Sequence, residues 1–75
     1  KSIRGRLRSY LSYQAILHGT RSFAIPFDRQ QLADYLNVDR SALSNELSKM
    51  QKEGLLTVRK NQFTLNQENL ESPFF

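Results

Sequence analysis

Cysteine is absent from this chain, so no disulfide and no thiolate metal site can hold it together. His18 is the only histidine, which argues against an imidazole-based metal centre as well. No apolar run approaches the ~20 residues that span a bilayer. The basic start leads into an amphipathic pattern and not into the apolar core of a signal peptide. A soluble cytoplasmic protein with no membrane contact is the expectation. Internal repeats and low-complexity tracts are lacking too. Serine, histidine and aspartate all occur, yet no nucleophile elbow or glycine-rich oxyanion loop surrounds any serine. Catalysis is not expected, and neither a metal nor a cofactor is expected in this domain.

What is present suits one small folded unit. The 75 residues are 39% hydrophobic, a globular composition too short for two cores. Eleven Lys and Arg against seven Asp and Glu give a net charge of +4. Lys1, Arg4, Arg6, Arg8 and Arg21 all precede Asp28, the first acidic residue, and the tail after Leu65 carries only Glu68 and Glu71. A body this basic attracts phosphates regardless of base sequence. The same charge also suits a plain solvated face.

Ile3, Leu7, Tyr10, Leu11 and Leu17, with Gln14 on the same stripe, recur at helical spacing and predict a helix over about 3–18 that Gly19 ends. Arg4 and Arg8 flank the stripe. The pattern opens abruptly at Lys1 with only Ser2 as a cap, which predicts a fragment whose upstream part lies elsewhere. In Ser22-Phe23-Ala24-Ile25-Pro26-Phe27 the alternation of Phe23, Ile25 and Phe27 predicts a strand over 22–25 that Pro26 stops. Tyr10, Tyr13, Tyr35 and the phenylalanines follow these spacings and are expected to pack, not to serve as base-stacking platforms.

Residues 28–56, DRQQLADYLNVDRSALSNELSKMQKEGLL, read as a complete helix-turn-helix. Leu32, Ala33 and Leu36 sit at one-turn spacing; Asn37 tolerates the positive φ of a tight corner, and Val38 plugs the angle. Asp39 is the expected N-cap of a second helix that buries Leu43, Leu47 and Met50 and ends at Gly54, its expected C-cap. Its opposite face presents Arg40, Ser41, Ser44, Asn45 and Ser48, short polar groups suited to base edges or phosphates. Leu56 to Arg59 and Gln62 to Leu65 alternate around Lys60-Asn61, a two-residue hairpin turn in which Asn stands second, where Gly would fit better. A hairpin there is the wing of a winged helix, and the 22–25 strand is expected to complete a three-stranded sheet.

The fold class is thus mostly α with a small antiparallel sheet: a winged helix-turn-helix over 1–65 (helix-turn-helix about 28–53, wing about 56–65), then a tail over 66–75. Arg40 and Asn45 are the expected base readers, because a guanidinium suits guanine and a carboxamide suits adenine. Ser41 and Ser44 either reach a base or act as spacers. Phosphate contact is expected from Arg29 and Gln30, which open the first helix of the motif, and from Asp39 and Ser48. Lys60 and Asn61 at the wing tip either touch phosphate or simply turn the hairpin. The expected function is sequence-specific binding of double-stranded DNA with the 39–53 helix in the major groove. The rival is a winged helix used as a protein-interaction module.

Three separated stretches also carry a resemblance: Ile25-Pro26-Phe27-Asp28-Arg29-Gln30-Gln31-Leu32-Ala33, Asp39-Arg40-Ser41-Ala42-Leu43-Ser44-Asn45 and Glu53-Gly54-Leu55-Leu56. In order and spacing they resemble the C-terminal DNA-binding domain of the Crp/Fnr family of bacterial transcription regulators. That resemblance covers most of the chain and fails only in the tail. It implies an upstream β-barrel sensor of the cyclic-nucleotide-binding type, whose ligand is unspecified. It also implies a long upstream helix that makes the full-length protein a homodimer, and it allows RNA polymerase as a partner. Arg40 matches the family's recognition-helix arginine. Ser41 stands where the family commonly has Glu, and Asn45 where a second specificity arginine often falls, so the usual family operator is not implied. Glu46 stands where the family often has an apolar or small residue.

Overall fold

The structure, a computed structural model, describes residues 2–66. Lys1 and all of the 66–75 tail except Asn66 lie outside the described residues. Helix α1 (Ile3–His18) leads to strand β1 (Ser22–Ala24), helices α2 (Arg29–Leu36) and α3 (Arg40–Lys52), and strands β2 (Leu56–Arg59) and β3 (Gln62–Leu65). This is a winged helix-turn-helix. The strands form one antiparallel sheet in the order β1-β3-β2, with Phe63 opposite both Phe23 and Val58.

Each helix starts where a short side chain caps it. Ser2 accepts from the Gly5 N–H at the head of α1. Asp28 and Gln31 form a capping box on α2, and Asp39 accepts from the Ala42 N–H on α3. Each helix stops at a residue in the left-handed region, which glycine and asparagine adopt most readily. These are Gly19 (φ 68), Asn37 (φ 59) and Gly54 (φ 78). On α3 the expected boundary needs a small correction. The cap itself is Glu53, still right-handed, and Gly54 follows it. There the Gly54 N–H reaches the Gln51 carbonyl and the Leu55 N–H the Met50 carbonyl, the paired bonds of a Schellman end.

The core joins every element. Leu7 and Leu11 from α1, Leu32 from α2, Leu43 and Met50 from α3, and Leu56 and Phe63 from the sheet are all essentially inaccessible. Burying one such side chain contributes about 1.5–3 kcal/mol. Val38 packs against this core at the α2–α3 corner, as expected.

Leu17 does not join it: it is 60% exposed, as Ile16 (53%) and Tyr13 (56%) are. The helical period continues into the last turn of α1, but among the described residues only Ala15 and His18 there meet the rest of the fold, His18 by stacking on Phe23. The side that carries Ile16 and Leu17 is left open. Tyr35 is likewise exposed, although its ring lies 5.2 Å from those of both Tyr10 and Phe27. Strand β1 stops at Ala24, one residue before the expected end, yet Ile25 still donates its N–H to Asn61. In the two-residue wing turn the left-handed residue is Lys60 (φ 56), and Asn61 is not in that region. The conformational demand falls on the first turn position, not the second.

Candidate nucleic-acid interface

Helix α3 is set by its buried stripe. Leu43, Leu47 and Met50 recur at i, i+4 and i+7 and are fully covered, so the opposite face must meet solvent. Arg40, Ser41, Ser44, Asn45 and Ser48 stand there, all exposed. Among the described residues, none of these five side chains makes a hydrogen bond within the protein. Their donors and acceptors are free for an external partner. No acidic residue lies in the first turn of α3, so Arg40 meets no carboxylate inside the helix. Asp39 sits just outside, and its Oδ2 accepts from the Ala42 N–H at 3.1 Å.

Helix α2 is fixed against α3 by the Asn37 corner and by an arginine from α1. Arg6 donates Nη1 to the carbonyls of Leu36 and Asn37, both at 3.1 Å, placing a cation where the helix dipole is negative. At its other end, the Asp28 N–H donates to Gln31 Oε1 and the Gln31 N–H to Asp28 Oδ1, both at 2.8 Å. Gln30 is exposed, and its amide donates to Asp34 one turn on.

The N-termini of α2 and α3 and the wing turn converge at Arg29. Its Nη2 donates to the Lys60 carbonyl at 3.0 Å, and its guanidinium lies 5.8 Å from the Phe63 ring centre. Nη1 is buried and has no partner. Burial lowers the Arg29 pKa, and the nearby Arg40 charge lowers it further. Asn61 is tied to the sheet: its Nδ2 donates to the Ile25 carbonyl at 2.9 Å. A groove of about 480 Å³ runs between α2 and the wing, lined by Pro26, Phe27, Asp28, Arg29, Lys60 and Asn61.

The structure therefore gathers Arg29, Arg40, Lys60 and Asn61 at one end, with Ser44, Asn45 and Ser48 extending along α3. Of the expected site residues, Arg29, Gln30, Asp39 and Asn61 already have side-chain hydrogen bonds inside the protein. Two further residues tie α3 to α1 and had no reading from sequence as positioning groups, Arg4 and Glu53. Arg4 bonds Glu46 through Nε and Glu53 through Nη1 and Nη2, at 2.9 and 2.8 Å. That gives Glu46 its partner, and it neutralises both carboxylates of the 40–53 segment. The partners lie 42 and 49 residues apart in sequence, so no local pattern signals them. The capping box has a local signal, Asp28 followed three residues later by Gln31, which the reading of the sequence passed over.

Among the described residues no helix is long and apolar enough to cross a membrane, and no group of acidic or histidine side chains could hold a metal. A protein-family model described as a Crp-like helix-turn-helix domain matches residues 5–72. No curated protein matches the chain.

Proposed function

This chain belongs to the Crp-like helix-turn-helix domain family and is a DNA-binding domain of transcription regulation, and from that premise we propose that it reads double-stranded DNA sequence-specifically with α3 in the major groove. The observation that carries the reading is the α3 face itself: five exposed polar side chains, unbonded within the protein, backed by a fully buried stripe. A solvated helix face would more often hold Glu and Lys in i, i+4 pairs. Arg40 reads a guanine and Asn45 an adenine, with Ser41 and Ser44 at base edges or as spacers between them. Phosphate contacts come from Lys60, Gln30 and Ser48 and from the free N–H groups that open α2 and α3. Asp39 serves that role as the cap that orients the first turn of α3.

The regulator is non-enzymatic on this reading and works in the cytoplasm as a homodimer formed through an upstream helix. A sensor ligand bound upstream governs it, and RNA polymerase is its partner at promoters. The described body measures 32 × 24 × 24 Å. Two copies fit side by side on successive major grooves, roughly 34 Å apart.

Arg40→Ala tests the reading. One bidentate arginine–guanine pair is worth about 1–3 kcal/mol of discrimination. Binding to a selected operator should weaken roughly 5- to 150-fold, the equivalent of that range, and binding to random duplex far less. Because Arg40 is exposed, the melting temperature should hold, as for most surface substitutions. Equal losses on both DNAs would make Arg40 a backbone contact. Unchanged binding to both, with the fold intact, would favour the protein-interaction module.

A further inference from the structure

Arg29 opens α2 and invites assignment as a phosphate ligand, but its guanidinium is half-buried and already holds a carbonyl of the wing. A guanidinium offers five N–H groups. The pair on Nη1 is buried, without a partner and out of reach of an external phosphate, and Nη2 already serves the Lys60 carbonyl at 3.0 Å. The group lies over the ring of Phe63, the residue at the middle of the sheet, 5.8 Å from the ring centre.

The carbonyl it holds is a significant one. Lys60 is the left-handed residue of the wing turn (φ 56), a conformation that a side chain with a Cβ adopts reluctantly. The next residue is fixed from the opposite side. Asn61 accepts from the Ile25 N–H through its carbonyl and donates to the Ile25 carbonyl through its side chain, both at 2.9 Å. The turn is thus held between α2, through Arg29, and the end of β1, through Asn61. Of these attachments, only the one through Arg29 acts on Lys60 itself.

We infer that Arg29 is a positioning residue: it fixes the wing turn so that the Lys60 ammonium is presented to the DNA backbone, and does not itself ligate phosphate. The DNA part of this inference rests on the function proposed above. The hold on the wing does not.

The two assignments separate in a double-mutant cycle on the 75-residue chain. Wild type, Arg29→Ala, Lys60→Ala and the double variant are titrated with duplex DNA over a range of salt. Amide hydrogen exchange at residues 59–62 is measured in the free protein. If Arg29 positions the wing, Arg29→Ala speeds exchange at those amides by about tenfold or more and leaves the α3 amides unchanged. The double variant then binds no more than about twofold worse than Lys60→Ala. Its salt slope falls by about one in total.

Unchanged wing exchange overturns the inference. So do losses that multiply in the double variant with a slope reduced by about one for each residue, which would make Arg29 a direct phosphate ligand. Should Arg29→Ala fail to fold, Arg29→Met keeps an apolar stem over Phe63 while removing every donor, and the same measurements apply. If the wild-type chain binds no duplex DNA, the proposed function fails, and the exchange measurement alone still decides whether Arg29 holds the wing.

Discussion

At the scale of single residues, Arg4 ties the first turn of α1 to α3. Its hydrogen bonds hold the Glu53 carboxyl below the usual carboxylate range, with Lys49 adding a smaller push in the same direction. A carboxyl whose pKa is lowered by folding favours the folded state at any pH above its unfolded value. That contribution is lost as pH falls through the folded value. Arg4→Ala should therefore be less stable than wild type at neutral pH, and the gap should close as pH drops below about 4. High salt should narrow it as well, because the pair is solvent-exposed. Urea unfolding of both proteins across pH checks this; a gap that persists to about pH 2 would mean that Arg4 acts through packing. The exposed polar face of α3 was legible in the sequence for a simple reason. Once Leu43, Leu47 and Met50 are assigned inward, the helical period leaves Arg40, Ser41, Ser44, Asn45 and Ser48 outward. Arg4 and Arg29 were not legible, since their partners are 31 to 49 residues distant and only the tertiary fold brings them near.

At the scale of elements, the three helices share one way of ending. After Gly19, Asn37 and Gly54 respectively, Thr20, Val38 and Leu55 return their N–H to the carbonyl five residues back. Such stops are written locally, which is why the helix boundaries were readable. The last turn of α1 and the wing turn were not. Periodicity cannot say where a packing partner runs out, as Leu17 shows, nor which of Lys60 and Asn61 takes the left-handed position. A Cβ added at Gly54 meets nothing within 4 Å, so Gly54→Ala isolates the backbone term. It should cost about 1–2 kcal/mol and lower the melting temperature by roughly 4–8 °C for each of them. An unshifted melt would show that the α3–β2 junction relaxes into another conformation.

At the scale of the whole molecule, one core serves both the helices and the wing. Phe63 is fully buried, stacks 6.4 Å from Phe23 and supports the Arg29 guanidinium. Phe63→Ala should cost about 3–5 kcal/mol, a large share of the roughly 5–15 kcal/mol that holds a domain together. Calorimetry and DNA titration on the same sample should show unfolding and loss of binding together. A variant that lost DNA affinity while keeping its melting temperature would mean that the wing is anchored apart from the core.

The sheet order carries a consequence for how the chain acquires its structure during synthesis. Strands β1 and β2 never touch; each is paired only to β3, the last strand of the described chain to leave the ribosome. A nascent chain ending before Gln62 contains the segments of all three helices and of β1 and β2, yet nothing for those two strands to pair with. The pairing that completes the fold spans about forty residues, as in Ser22 with Thr64, and non-local closure of this kind slows folding. Until Phe63 arrives, Phe23 and Ile25 have no sheet to enter, and the half-made domain is the species most exposed to chaperones and proteases.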